Sequence, residues 1–284
     1  MTTNLPKIEL SLKEIADTFL ENRFQSDDFG LLYGNMGVSI FLFHYARYTG
    51  KSEYGDYAVE LIEKISNQIF DSKKFDYSRG LAGIGIGIDY LIQNEFISAD
   101  EDILNDLDKN MKYSTFIDKY TDMSLYTGLM GYGRYWLCRI GKKDTDDVIN
   151  HILAVISDKI FTLTETEQFD VWCFLSDLNH LALYSQPSEL LRVSCQLYCK
   201  SISNCIPEMS FPRLGYAVAG RIVRKYLLHK YFGIDWYGKS LSSEMILNED
   251  KNQKQPGLLD GLSAYGLCLL SALSPREISW IGLH

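Results

Sequence analysis

No apolar run among these 284 residues approaches the length of a bilayer-spanning helix. The start, MTTNLPKIELSLKEIADTF, has neither a basic opening nor a continuous apolar core, so it does not read as a signal peptide, and a cytoplasmic chain is expected. Cysteine occurs six times, at Cys138, Cys173, Cys195, Cys199, Cys205 and Cys268, with no CxxC spacing. Cys195 and Cys199 fall on one helix face but have no second pair to complete a zinc ribbon, and reduced thiols fit the pattern. No Pro-, Gly- or Ser-rich stretch divides the chain, and the polar NEDKNQKQ at 248–255 reads as a connection. A single domain over 1–284 is therefore expected. Positive charge is short as well: the net charge of −9 argues against a nucleic-acid surface. The local exception is Arg213, Arg221, Arg224, Lys225, His229 and Lys230, a set that is either a solvated face or, through Arg213 and Arg221, the lining of a cavity.

Glycine is abundant, and it is placed periodically. Five segments open an apolar run with a glycine-bearing turn: GLLYGNMGVSIFLF (30–43), YSRGLAGIGIGIDYL (77–91), LYTGLMGYGRYWL (125–137), PRLGYAVAGRIVRKYL (212–227) and LLDGLSAYGLCLL (258–270). Their anchor glycines, Gly34, Gly80, Gly128, Gly215 and Gly261, are separated by 46, 48, 87 and 46 residues. The long gap is close to two periods, so a degenerate copy belongs near residue 172, where VWCFLSDLNHLALY (171–184) keeps the apolar rhythm without glycine. A fixed period of this length signals a repeat architecture.

Each anchor leads into a run that is apolar on more than one face, which suits a buried helix. Between the runs lie amphipathic stretches. Residues 53–70 set Tyr57, Leu61, Ile65 and Ile69 four apart, and 144–161 do likewise with Val148, Ile152, Val155, Ile156 and Ile160. One repeat is thus an inner helix plus a half-exposed outer helix, and six such pairs fill the chain, with residues 10–22 as the outer partner of the first. Glycines at inner-helix starts are expected to let neighbouring backbones approach and to permit turn angles that a Cβ forbids. The expected fold is all-α, an (α/α) toroid of about six hairpins. The last copy is as glycine-rich as the first, which favours closure over an open solenoid with polar caps.

The wording of GLLYGNMGVSIFL, SRGLAGIGIGIDYL, SLYTGLMGYG and PGLLDGLSAYGLCLLSAL resembles the glycine signatures of the lanthionine synthetase C-like (LanC-like) family. The ending SPREISWIGLH is similar too, with a proline, a tryptophan five residues later and then a leucine. The resemblance spans 30–284 and implies rings of inner and outer helices with a site at the ring's mouth. Active members of that family add a cysteine thiol to a dehydrated Ser or Thr. A zinc ion on two cysteines and a histidine activates the thiol, and a nearby histidine moves the proton. Zinc lowers the thiol pKa, so a thiolate exists at neutral pH.

This chain departs from that pattern. Trp172-Cys173 matches the dipeptide of the first zinc cysteine, without the glycine that follows it in relatives. The adjacent second cysteine and histidine are replaced by Arg213-Leu214 before Gly215, and Thr127 stands in the place of the catalytic histidine. Arginine and leucine cannot replace a thiolate and an imidazole on zinc, so no bound zinc is expected. Cys173 and His180 lie two helical turns apart, about 10 Å along the axis, too far for a thiol–imidazole pair.

The repeat places Tyr33, Arg79, Thr127, Leu214 and Asp260 at equivalent positions just before the anchors, with Asn35, Asp76 and Arg213 beside them. Arg79, Arg213 and Asp260 would give a mixed-charge funnel able to hold a peptide, and Trp172 and Cys173 complete the candidate set. Helix capping and ion pairing at the turns are the structural alternative for the same residues. The resemblance implies a peptide-modification protein that binds a precursor peptide or a dehydratase-type partner, as a zinc-less accessory or as a diverged cyclase. Six-fold (α/α) rings also serve glycoside hydrolases and epimerases, which need paired carboxylates; only Asp76 and Asp260 lie near repeat starts.

Overall fold

The computed structural model describes residues 5–21, 27–69, 72–99, 102–117, 120–185, 196, 223, 226–227, 229–231, 256–259 and 261–283. Among them every regular element is helical: α1 (Leu5–Glu21), α2 (Asn35–Thr49), α3 (Ser52–Gln68), α4 (Leu81–Gln93), α5 (Asn105–Ile117), α6 (Leu129–Cys138), α7 (Thr145–Lys159), α8 (Glu165–Ser185), α9 (Leu262–Leu273) and a 3-10 segment (Pro275–Leu283). The chain forms two compact units. Unit 1 is Met1–Ser72, Asn94–Phe96 and Arg213–His284; unit 2 is Lys73–Gln93 and Ile97–Pro212.

In unit 1, α2 is buried without interruption from Asn35 to Tyr45, as an inner helix with no polar face must be. Gly50 ends it in the left-handed conformation, φ 70°, and donates its N–H to the Ala46 carbonyl at 2.8 Å. On one side α3 buries Tyr54, Tyr57, Ala58, Leu61 and Ile65 and leaves its acidic and lysine positions in water, the stripe that the spacing implies. On the other, α9 packs against both α2 and α1. α1 starts earlier than the expected 10–22 and turns Ile8, Leu12, Ile15 and Phe19 inward. The 3-10 segment closes on α9 through the fully buried Trp280, whose indole N–H donates to Ser271 Oγ at 2.9 Å. Phe96 also belongs here, with the Arg47 guanidinium 3.5 Å over its ring.

In unit 2, α4, α6 and α8 pack in succession while α5 and α7 lie against them. α5 is weakly patterned and escapes the sequence reading; it is held by Leu107, Met111, Ser114 and Thr115 and by two polar ties from α6. Tyr135 donates to Asp108 at 2.6 Å, and the Trp136 indole donates to Thr115 at 3.3 Å. Arg139, at the end of α6, is 4% exposed and pairs with Asp102 at 2.8 Å and Asp108 at 2.6 Å. Those bonds from Arg139, with Lys142 adding to them, pull the Asp102 carboxyl down to a pKa of about 2.

Two expectations need correction. The degenerate repeat does not open near residue 172: α8 begins at Glu165 and runs 21 residues, because a capping box replaces the glycine turn. Glu167 accepts from the Thr164 backbone N–H at 2.9 Å and from its hydroxyl at 2.7 Å, while Thr164 Oγ1 accepts from the Glu167 N–H. The described anchor glycines, in turn, do not serve unusual turn angles. Gly34, Gly128 and Gly261 have φ of −129°, −108° and −107°, extended backbone open to any residue. What forbids a side chain is the preceding loop itself. A Cβ would lie 2.1 Å from the Asp28 oxygen at Gly34, and 2.4 Å from the Asp122 oxygen at Gly128.

Close approach to a neighbouring repeat, as expected of glycines at helix starts, falls on the second glycine of the pair. A Cβ on Gly37 would lie 3.2 Å from the Leu258 nitrogen, and one on Gly131 would lie 3.3 Å from the Tyr77 nitrogen. It falls also on glycines deeper in the helices. A Cβ on Gly85 would meet Tyr135 at 2.5 Å, one on Gly133 would meet Phe174 at 2.8 Å, and one on Gly266 would meet Phe41 at 2.3 Å. An aromatic ring of one inner helix fills the notch of its neighbour each time. Phe41 and Tyr135 each lie seven residues after an anchor glycine, and seven before Phe174 is Glu167, which fixes the true register of the degenerate repeat.

Candidate functional site

The glycine loops carry most of the candidate residues, and a repeated hydrogen-bond scheme builds them. In the first loop Gly34 donates to Gly30 O at 3.1 Å and Asn35 to Asp28 O at 2.9 Å; in the second, Gly80 donates to Asp76 O at 3.0 Å and Leu81 to Lys74 O at 2.9 Å. The third repeats this with Gly128 to Ser124 O at 3.1 Å and Leu129 to Asp122 O at 3.0 Å. A helix start normally leaves four amides seeking acceptors. Here the loop's own carbonyls take the first of them, so these amides are not offered to a ligand.

Neighbouring loops are stitched by one further bond. Ser78 N–H donates to Tyr126 O at 3.1 Å, and in unit 1 Leu259 N–H donates to Leu32 O at 3.0 Å. In both, the donor and the acceptor sit two residues before an anchor glycine. The side-chain notches agree: a Cβ on Gly131 would lie 2.8 Å from Tyr77, and one on Gly37 would lie 3.0 Å from Leu258. The last repeat therefore stands to the first as the second stands to the third.

Within unit 2 the stitch brings Arg79 and Thr127 onto adjacent loop crests, both exposed. Asp76, beneath Arg79, accepts from the Ser78 hydroxyl at 2.7 Å and from the Arg79 N–H at 2.8 Å. Thr127 donates its hydroxyl to Asp122 at 2.6 Å and lies 3.2 Å from Ser124 Oγ. In unit 1, Tyr33 is half-buried and Asn35 is buried in the first turn of α2. Trp172 and Cys173 are half-buried in the body of α8, and His180 is exposed farther along that helix. Arg213, Leu214 and Asp260 lie outside the described residues, so the mixed-charge funnel has Arg79 as its one described member.

Sequence reasoning missed the residues that hold the third loop in place. Glu167 accepts from the Met123 N–H at 2.9 Å, and Asp170 accepts from the Leu125 N–H at 2.8 Å. Burial works against the charge on Glu167, yet the Met123 and Thr164 bonds keep its pKa below the ordinary carboxylate value. Asp28 and Asp122 each bond an amide two residues on, Gly30 at 3.0 Å and Ser124 at 2.7 Å. Their signal was present as an aspartate six residues before the anchor in the first and third copies. Between α6 and α8, Arg134 pairs with Asp177 at 2.9 Å, and Arg134 also bonds Tyr77, whose burial pushes its phenol up to a pKa of about 12.

The sequence model of lanthionine synthetase C-like proteins matches residues 25–184, more than half of the chain. The chain belongs to the lanthionine synthetase C-like family. No curated protein matches it. The matched stretch contains the first three glycine loops and most of α8, so this LanC-like protein shares with its family the loops that carry Tyr33, Arg79 and Thr127. Among the described residues no three His, Cys, Asp or Glu side chains stand together in a way that would hold a metal ion. Nor is any described helix long and apolar enough to cross a membrane.

Proposed function

We propose that this LanC-like protein is a cytoplasmic accessory of a peptide-modification pathway, binding a precursor peptide or a dehydratase-type partner at its glycine loops without zinc-dependent cyclisation. The observation that carries this reading is the state of Thr127. Its position is that of the proton-moving histidine of active relatives. Here its hydroxyl is tied to Asp122 at 2.6 Å, and that carboxylate is itself engaged in shaping the loop. The chain's own residues do not fit the family's zinc: Arg213 and Leu214 stand at ligand positions and supply neither thiolate nor imidazole. What remains is a set of rigid loops with an exposed arginine on a crest, a surface that supports binding more than proton transfer.

The test uses the full chain and a dehydrated precursor peptide encoded by a neighbouring gene. Peptide binding and thiol loss are followed separately, and zinc is measured after purification without chelator. Binding without thiol loss and without stoichiometric zinc is expected, with Arg79→Ala weakening binding by about 1 kcal/mol. Thiol loss in the absence of metal would make the protein a diverged cyclase. One zinc per chain bound through Cys173 would overturn the ligand assignment, and cleavage of an oligosaccharide in place of peptide binding would overturn the pathway.

A further inference from the structure

Unit 2 carries an apolar face that its own helices leave open. α5 buries one stripe, yet Tyr113, Phe116 and Ile117, three and four residues apart, are 69%, 43% and 56% exposed on a second. Alongside runs an open groove of about 460 Å³, whose walls include Tyr120, His151, Ala154, Val155, Asp158 and Lys159. The Phe116 ring lies 4.6 Å from the His151 ring and joins the stripe to the groove. Two residues beyond Lys159, Phe161 is 97% exposed.

A solitary exposed phenylalanine needs no explanation, but a contiguous stripe, a groove and a projecting ring together mark an interaction surface. Its occupant must present an apolar knob to the groove, apolar area to the stripe, and charges of both signs to Asp158 and Lys159. This chain itself meets all three conditions, its own Tyr113, Phe116 and Ile117 supplying the apolar area. Phe161 is a knob beside a groove it does not enter, and Asp158 next to Lys159 is a charge pair that complements its own copy about a two-fold axis. We propose that two copies of the protein associate through this face, the Phe161 ring of each entering the other's groove.

Sedimentation of the full chain over roughly 1 to 100 µM tests this, the range in which a weak self-association becomes visible. Wild type is expected to pass from monomer to dimer within that range. Phe161→Glu, which removes the knob, and Ala154→Arg, which fills the groove, should each remain monomeric, with circular dichroism verifying unchanged helix content. Mixing the two variants should restore a dimer. One half of the interface is then native, and the other sets the new glutamate against the new arginine. A wild type that stays monomeric, variants that dimerise like wild type, or a mixture that stays monomeric would each overturn the proposal. A monomer that captures a pathway protein through Phe161 would likewise overturn it and give the face to that partner.

Discussion

Gly128 illustrates how a single position can be legible in sequence for the wrong reason. Its period marks it as special, and a positive φ or a neighbouring helix would be the ordinary explanations. The structure gives neither: φ is −108°, and the obstacle is the Asp122 carbonyl six residues back. A periodicity argument sees that a side chain is missing but not which backbone atom fills its place, because a six-residue loop folds on itself without an apolar pattern. Gly128→Ala should therefore cost about 1–3 kcal/mol, read as a lowered urea midpoint. Gly55 is the internal control. It lies within α3, where a Cβ would sit 3.5 Å from Ala46 in ordinary contact, so Gly55→Ala should gain about 0.5–1 kcal/mol. Equal effects at the two positions would refute the steric account. At the candidate site the same scale applies: Arg79 and Thr127 were found because they precede anchors. Glu167 and Asp170 were not, since their partners are backbone amides in another repeat.

Elements whose burial follows a strong pattern, such as α2, α3 and α7, emerge from the sequence with ends shifted by a few residues. α5 does not, because polar ties to α6 supplement a thin apolar stripe. Arg139 is the centre of those ties. Asp102 has its pKa held at about 2 against an ordinary 3.8, so its contribution is full above about pH 4 and is lost as pH falls through 2. Discounted for solvent screening at a part-exposed site, that shift corresponds to roughly 1 kcal/mol. Arg139→Met should lower stability by about 3–5 kcal/mol at pH 7, since it leaves two carboxylates facing one another in part-buried sites. It should also shrink the stability lost between pH 4 and pH 2, measured as urea midpoints across that range. A variant with the wild-type acid slope would show that Asp102 draws its low pKa from Lys142 instead. The start of α8 is illegible for a comparable reason: Thr164 and Glu167 form a local polar cap, whereas halving the 87-residue gap and following the apolar rhythm of 171–184 puts the repeat near residue 172.

For the molecule as a whole, the period was enough to suggest that the two ends of the chain meet, and the Leu259–Leu32 bond and the Gly266–Phe41 notch are where they do. Trp280→Ala, which removes a fully buried ring, should cost about 3–5 kcal/mol and reduce amide-exchange protection in α1, α2 and α9, while α4 and α6 keep theirs. Loss confined to the C-terminal segment would separate α9 energetically from the first repeat. The same junction has a temporal side. A ribosome releases α2 some two hundred residues before α9, at about 5–20 residues per second. For that interval an almost wholly apolar helix has no completed neighbour on one flank. Unit 2 draws on one nearly continuous stretch of chain and can consolidate first. The first repeat is thus made before unit 2 yet finished after it, and the nascent chain must be shielded there until α9 emerges.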